Sequence, residues 1–131
     1  MMNQVEQLLI RKFIIHEKQE RYLHYLSNDK SRNKFVRELY HFKDFNWSLL
    51  RPIPGNEIPS NSILQSLRSK KRLIVNCHVI SVNQDLDKRA ISIEQALESV
   101  IGEEGTILIF GEVEIVYYEG EAPGNRFISI E

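Results

Sequence analysis

The sequence lacks the cysteines, the long apolar segments and the signal sequence that are typical of disulfide-rich, membrane-spanning or secreted proteins. Its 131 residues include one cysteine, Cys77, so no disulfide can form within the chain and a reducing compartment is expected. No stretch approaches the roughly 20 apolar residues that a membrane-spanning helix needs. The apolar run near the amino terminus is interrupted by Arg11 and Lys12, which is atypical of a secretory signal. These absences predict a cytoplasmic protein without membrane association.

The chain also lacks an overall excess of either charge, but its charges are unevenly distributed. The formal net charge is −1. Residues 1–72 carry 14 Lys and Arg against 7 Asp and Glu, whereas residues 73–131 carry 3 against 11. Such asymmetry is typical of halves that attract each other, within one chain or across a homodimer. It is equally typical of a basic surface that meets nucleic acid or an acidic partner.

The clearest structural pattern that is present is a β-hairpin between Thr106 and Tyr118. Two runs rich in β-branched and aromatic residues flank Gly111 and Glu112, which predicts a two-residue type II′ turn. A further strand is predicted from Arg72 to Val82. A last strand at residues 126–130 should follow a type II turn at residues 122–125.

Helical periodicity dominates the first half of the sequence. Apolar spacing predicts one long helix from Val5 to Leu26 and a second from Lys30 to Phe42, joined as an antiparallel pair. A proline-rich, irregular segment and a short helix ending near Arg68 come next. Ser92 and Gln95 form a capping box, which predicts another helix at residues 93–101.

Together these elements predict a single α+β domain over residues 1–131. The helical amino-terminal half, an antiparallel helix pair plus a short helix, should pack on a small sheet. That sheet should be mostly antiparallel and contain about four strands. Its final strands would leave an open edge, which is a second reason to expect a homodimer as an alternative to a monomer.

One face of the second predicted helix aligns four residues that are, or can become, positively charged. They are Lys30, Lys34, Arg37 and His41. Cations held in a row can bind phosphates or carboxylates, although a solvated helix face often carries them without any partner. This row is the candidate binding surface.

Two other patterns give weaker chemical signals. His41 and Asp44 lie three residues apart, which is half of a general-base arrangement, and His16 lies on an apolar helix face. Asp85 and Asp87 have the alternating spacing of calcium ligands, but Lys88 follows where such a loop requires glycine. Neither pattern completes a catalytic or metal-binding set, so we predict no metal and no cofactor.

Several short motifs are spread along the chain: Tyr25-Leu26-Ser27, Lys34-Phe35, His41-Phe42-Lys43-Asp44, Tyr118-Glu119-Gly120-Glu121 and Gly124-Asn125-Arg126. Together they resemble a pattern found in small uncharacterised bacterial proteins of unknown function. The resemblance covers most of the chain and implies a bacterial, cytoplasmic protein. It transfers no functional residue.

The leading hypothesis from the sequence is a non-enzymatic interaction protein that binds a macromolecular partner through a charged surface. Two alternatives remain open. The same basic row can bind nucleic acid, or a small hydrolase or ligand-binding protein can use His41 with Asp44, or His16, in a pocket.

Overall fold

The chain folds into six antiparallel strands covered by helices on both faces. The computed structural model describes residues 3–121 and 125–130. Within those residues the helices are α1 (Gln4–Phe13), α2 (Gln19–Leu26), α3 (Asp29–Glu38), α4 (Pro59–Ser69) and α5 (Ile93–Gln95), the last continuing as a π-helical turn at Ala96–Val100. The strands are β1 (Leu50–Pro52), β2 (Asn76–Ser81), β3 (Ala90–Ser92), β4 (Thr106–Phe110), β5 (Ile115–Glu119) and β6 (Arg126–Ser129). The predicted α+β class is therefore confirmed.

The strands are ordered β1-β6-β5-β4-β2-β3, and every neighbouring pair is antiparallel. The prediction of about four strands was wrong, because β1 and β3 also join the sheet at its two edges. Each edge strand has three residues, too few for an alternating pattern to show in the sequence. Pro52 ends β1 at an edge, where a missing main-chain N–H is tolerated.

The sheet separates two layers of buried side chains. On one face, α1, α2 and α3 pack against Ile107, Ile109 and Tyr118. On the other face, α4 and the α5 region pack against Leu108 and Tyr117. The alternation of side chains along β4 and β5 supplies both layers, which explains why every residue of these two strands is buried.

The predicted long helix from Val5 to Leu26 is broken between α1 and α2. Ile14 forms an isolated β-bridge with Phe45, and the N–H of Ile15 donates to the carbonyl of Asp44 at 2.9 Å. The buried amide of Gln19 donates to the carbonyl of Ile14 at 3.0 Å. Two consecutive β-branched residues favour extended backbone, and pairing with residues 44–46 stabilises that conformation over the helix.

The predicted hairpin is present, but its two-residue turn was wrong. Phe110 lies opposite Ile115, so the loop contains four residues, 111–114. Gly111 has a φ of +65° and Val113 a φ of +61°. The Val113 side chain is buried in the layer formed by α1–α3. Burial of this side chain favours the longer loop over the tight turn.

The strand predicted from Arg72 to Val82 begins four residues later, at Asn76. Its neighbours end there, because Ser92 of β3 lies opposite Asn76 and Phe110 of β4 lies opposite Cys77. Leu73 is consequently 86% exposed instead of buried. The type II turn predicted at residues 122–125 lies mostly outside the described residues.

Candidate functional site

Helix α3 presents three of the four residues of the predicted basic row to solvent. The second helix was predicted to extend to Phe42, but α3 ends at Glu38, and His41 lies beyond it in a 3₁₀ turn. The helix begins after Asn28, whose side-chain oxygen accepts a hydrogen bond from the N–H of Ser31 at 3.0 Å. Its inner face buries Phe35 and Val36 against the sheet. The opposite face holds three exposed cations. These are Lys30, Lys34 and Arg37, called here the basic α3 surface.

Carboxylates near the basic α3 surface are engaged by other groups. Asp29 pairs with Lys88, and the Glu38 carboxylate lies 3.2 Å from the Tyr22 hydroxyl. Glu121 pairs with His41, at 3.0 Å between Oε2 and Nε2. In the described part of the chain, no carboxylate lies within ion-pair distance of the three cations of the surface. Their positive charge is therefore not neutralised by an ion pair with any described residue.

An aromatic ring extends this surface onto α2. The Lys34 ammonium lies 5.7 Å from the centroid of the Tyr25 ring, and the Arg21 guanidinium lies 5.5 Å from it. Arg21 Nε also donates to the Tyr25 hydroxyl at 3.1 Å. Cations near a ring face are attracted by its quadrupole, which limits how freely the two long side chains move. The surface can therefore bind carboxylates or phosphates with part of its geometry already fixed.

The histidines predicted as catalytic candidates do not form a shared site. His41 is 77% exposed and pairs with Glu121, not with Asp44. Asp44 accepts a hydrogen bond from the Tyr22 hydroxyl. Burial and this hydrogen bond raise the pKa of Tyr22. His16 is exposed in a 3₁₀ turn between α1 and α2.

The aspartates predicted as weak metal candidates lie in the loop between β2 and β3. Asp85 is exposed, whereas Asp87 accepts hydrogen bonds from Arg32 and from the N–H of Ser81, the latter at 2.9 Å. Lys88 has a φ of +70°, the conformation for which a calcium loop uses glycine. Among the described residues, no three His, Cys, Asp or Glu side chains are grouped to hold a metal ion.

A buried ionic cluster that the sequence analysis missed lies between α1, α3 and β2. Arg32 donates two hydrogen bonds to Glu6, at 2.7 and 2.8 Å, and two to Asp87, at 2.7 and 3.0 Å. His78 Nε2 lies 2.7 Å from the second oxygen of Glu6. The side chains of Glu6 and Arg32 are only 2% and 6% exposed. We call these four residues the Glu6–Arg32 cluster.

Pairing within the Glu6–Arg32 cluster offsets the cost of burial. Burial alone would raise the pKa of Glu6, but hydrogen bonds and charge from Arg32 and His78 lower it to about 2. Burial opposes the charge of Arg32 too, yet Glu6 and Asp87 raise its pKa. Glu6 and Arg32 therefore stay charged, and the cluster connects two helices to the sheet. Its sequence signal is a charged residue on an apolar stripe: Glu6 precedes Leu9 by three positions.

A surface cavity of about 490 Å³ borders the Glu6–Arg32 cluster. Its rim includes Asn3, Asn28 and the ion pair between Asp29 and Lys88. In the described chain, no buried side-chain nitrogen or oxygen lacks a hydrogen-bond partner. The charged groups of the wall are paired with one another, and the cluster connects α1 and α3 to β2.

Comparisons with family models, curated proteins and solved structures found no match to this chain. The resemblance to small uncharacterised bacterial proteins, and the cytoplasmic location it implies, stay predictions. No helix among the described residues is long and apolar enough to cross a membrane.

Proposed function

We propose that this protein is a non-enzymatic interaction protein that binds an acidic partner protein through the basic α3 surface. The observation that carries the proposal is the set of three exposed cations on one face of α3, which form no ion pair with the described residues. Opposite potentials across an interface accelerate association and exclude partners of the wrong charge.

The rest of the charge distribution supports this interpretation. Several basic residues elsewhere already have acidic partners: Arg11 pairs with Glu20, Arg51 with Glu57, and Arg72 with Glu114. The three cations of the basic α3 surface have no such partner among the described residues. Ion pairs such as Arg32 with Asp87 also connect the basic first half to the acidic second half. Ion pairs between the two halves therefore involve only some of the basic residues of the first half. The cations of the basic α3 surface remain available to bind a partner.

A charge-reversal comparison tests the proposal. The test variant combines Lys30→Glu, Lys34→Glu and Arg37→Glu. The control variant combines Arg11→Glu, Lys43→Glu and Arg89→Glu, three exposed residues outside the basic α3 surface that give the same change in net charge. Tagged wild type and both variants are used to capture proteins from the source cell, and bound proteins are quantified. We expect acidic proteins that bind wild type and the control but are lost from the test variant.

Nucleic acid is the alternative occupant of the same surface. Fluorescence anisotropy with a DNA duplex and a single-stranded RNA, at low and physiological salt, separates the two. Affinity that falls steeply with salt and disappears only in the test variant would assign the surface to nucleic acid and contradict the protein-partner proposal. Equal protein capture by all three chains would contradict the protein-partner proposal, and equal nucleic-acid affinity of all three would contradict the alternative.

A further inference from the structure

A second surface lies on the opposite face of the sheet from α3. It is a groove of about 380 Å³ between α4 and the segment that follows it. Leu64, Leu67 and Ile74 are half-buried in this groove, and Leu73 beside them is 86% exposed. The volume falls at the lower end of the roughly 300–1,000 Å³ range of ligand-binding clefts.

The segment beside the groove has unused main-chain hydrogen-bonding groups. Leu73 and Ile74 make no hydrogen bond to another main-chain group in the described chain. Strand β3 ends at Ser92, opposite Asn76, so it does not extend alongside them. An extended peptide entering the groove would find both apolar contact and main-chain donors and acceptors.

The rim of the groove is basic. Arg68 and Lys71 are exposed, and no carboxylate of the described residues lies within ion-pair distance of either. Arg72 differs, because it contacts Glu114 at 3.4 Å and Glu112 at 3.8 Å. Among the described residues, Arg68 and Lys71 are therefore positive charges without a carboxylate partner next to the apolar floor.

We propose that this groove binds a short peptide segment of a partner protein in which acidic residues flank a large aliphatic side chain. The aliphatic side chain packs against Leu67, Leu73 and Ile74, and the carboxylates contact Arg68 and Lys71. The main chain of the peptide bonds to Leu73 and Ile74. This inference is independent of the basic α3 surface, which belongs to the other face of the molecule.

Selection of peptides from a random 12-residue library displayed on phage tests the groove. The wild-type protein should enrich peptides that combine Asp or Glu with Leu or Ile. Synthetic versions of these peptides should bind Leu73→Asp, and the pair Arg68→Glu with Lys71→Glu, about tenfold or more weakly, since burial of one leucine supplies at least that factor. Leu73 is largely exposed, so its substitution leaves the fold intact.

The matched control is the triple reversal of the basic α3 surface, which should bind the same peptides as wild type. Failure to enrich any peptide, enrichment without acidic residues, or equal binding to Leu73→Asp would overturn the proposal. Sedimentation and vesicle flotation address the other occupants. A wild-type dimer that Leu73→Asp dissociates would assign the groove to a second copy of the chain. Leu73-dependent binding to vesicles of anionic phospholipid would assign it to a lipid surface.

Discussion

Lys88 has a backbone conformation that residues with a side chain rarely adopt. Its φ is +70°, and its ammonium group pairs with Asp29 of α3. The main-chain N–H of Lys88 donates to the carbonyl of Val79 at 2.8 Å, so the pairing of the chain with β2 holds this conformation. The backbone is strained locally, and contacts around it offset the cost.

Replacement of Lys88 separates the backbone strain from the ion pair. Lys88→Gly and Lys88→Ala both remove the ion pair, but only glycine relieves the positive φ. We expect Lys88→Gly to be more stable than Lys88→Ala by about 1 kcal/mol, measured by urea unfolding. Equal stability of the two variants would show that residue 88 is not held in this conformation.

The ionisation of Glu6 makes the free energy of unfolding depend on pH in the acidic range. Its pKa is about 2 in the folded protein, compared with 4.5 as the ordinary value. The folded state therefore binds this proton less readily than the unfolded state. The contribution of Glu6 is complete above pH 4.5 and is lost as the pH falls toward 2, and it amounts to about 3 kcal/mol.

Glu6→Gln should remove this acid-dependent contribution. At pH 7 the variant should be less stable than wild type by about 3 kcal/mol, because Arg32 loses one of its two carboxylates. The difference between the two proteins should shrink as unfolding is measured at successively lower pH. Glu17→Gln, at an exposed position, provides the control with little change. A constant difference across pH 2–5 would contradict the pairing of Glu6.

At the scale of elements, the loop between β4 and β5 shows what local patterns predict and what they do not. The alternation of apolar residues located both strands, because a buried strand carries that pattern within itself. The loop length depended instead on the burial of Val113 against the helices, which is a tertiary contact. A tertiary contact also determines where α1 ends, because Ile14 and Ile15 pair with residues 44–46.

Gly111 tests the structure of this loop. An alanine at this position would have to adopt a φ of +65°. Its Cβ would approach a carboxylate oxygen of Glu114 to 2.6 Å. Gly111→Ala should therefore destabilise the protein by about 1–2 kcal/mol. Gly55→Ala is the matched control, because no atom lies within 4 Å of its added Cβ. Thermal unfolding that ranks the two variants equally would argue against the four-residue loop.

In the candidate site, too, features that depend on local spacing could be predicted, whereas contacts between residues far apart in the sequence could not. The basic α3 surface could be predicted, because helical spacing alone aligns Lys30, Lys34 and Arg37 on one face. The Glu6–Arg32 cluster could not be assembled from the sequence, since Arg32 meets Glu6 across 26 residues and Asp87 across 55. A charge on an apolar stripe signals that a partner is needed, but it does not identify the partner.

At the scale of the whole molecule, one sheet is shared by both layers of helices. Strands β4 and β5 contribute side chains to both layers, so neither layer can lose its packing without exposing the same strands. This arrangement predicts that the chain unfolds as one domain in one cooperative transition.

Truncation of one buried side chain in each layer tests this cooperativity. Leu9→Ala and Ile63→Ala both remove fully buried atoms, from opposite faces of the sheet. Each should lower stability by about 2–5 kcal/mol in one transition. Far-ultraviolet circular dichroism and Trp47 fluorescence should give coincident curves for both variants. A separate early transition in Ile63→Ala, invisible to Trp47, would indicate two independent units.

The central claim is that the basic α3 surface contacts an acidic protein partner, and site-specific photo-crosslinking tests it most directly. A photoreactive residue replaces Lys34 in one protein and, as the control, Arg89 in another, since both positions are exposed. We predict a discrete crosslinked acidic protein from position 34, absent at position 89 and lost at high salt. Identical crosslinks from both positions, or none from position 34 while the protein still captures its partner, would contradict the account.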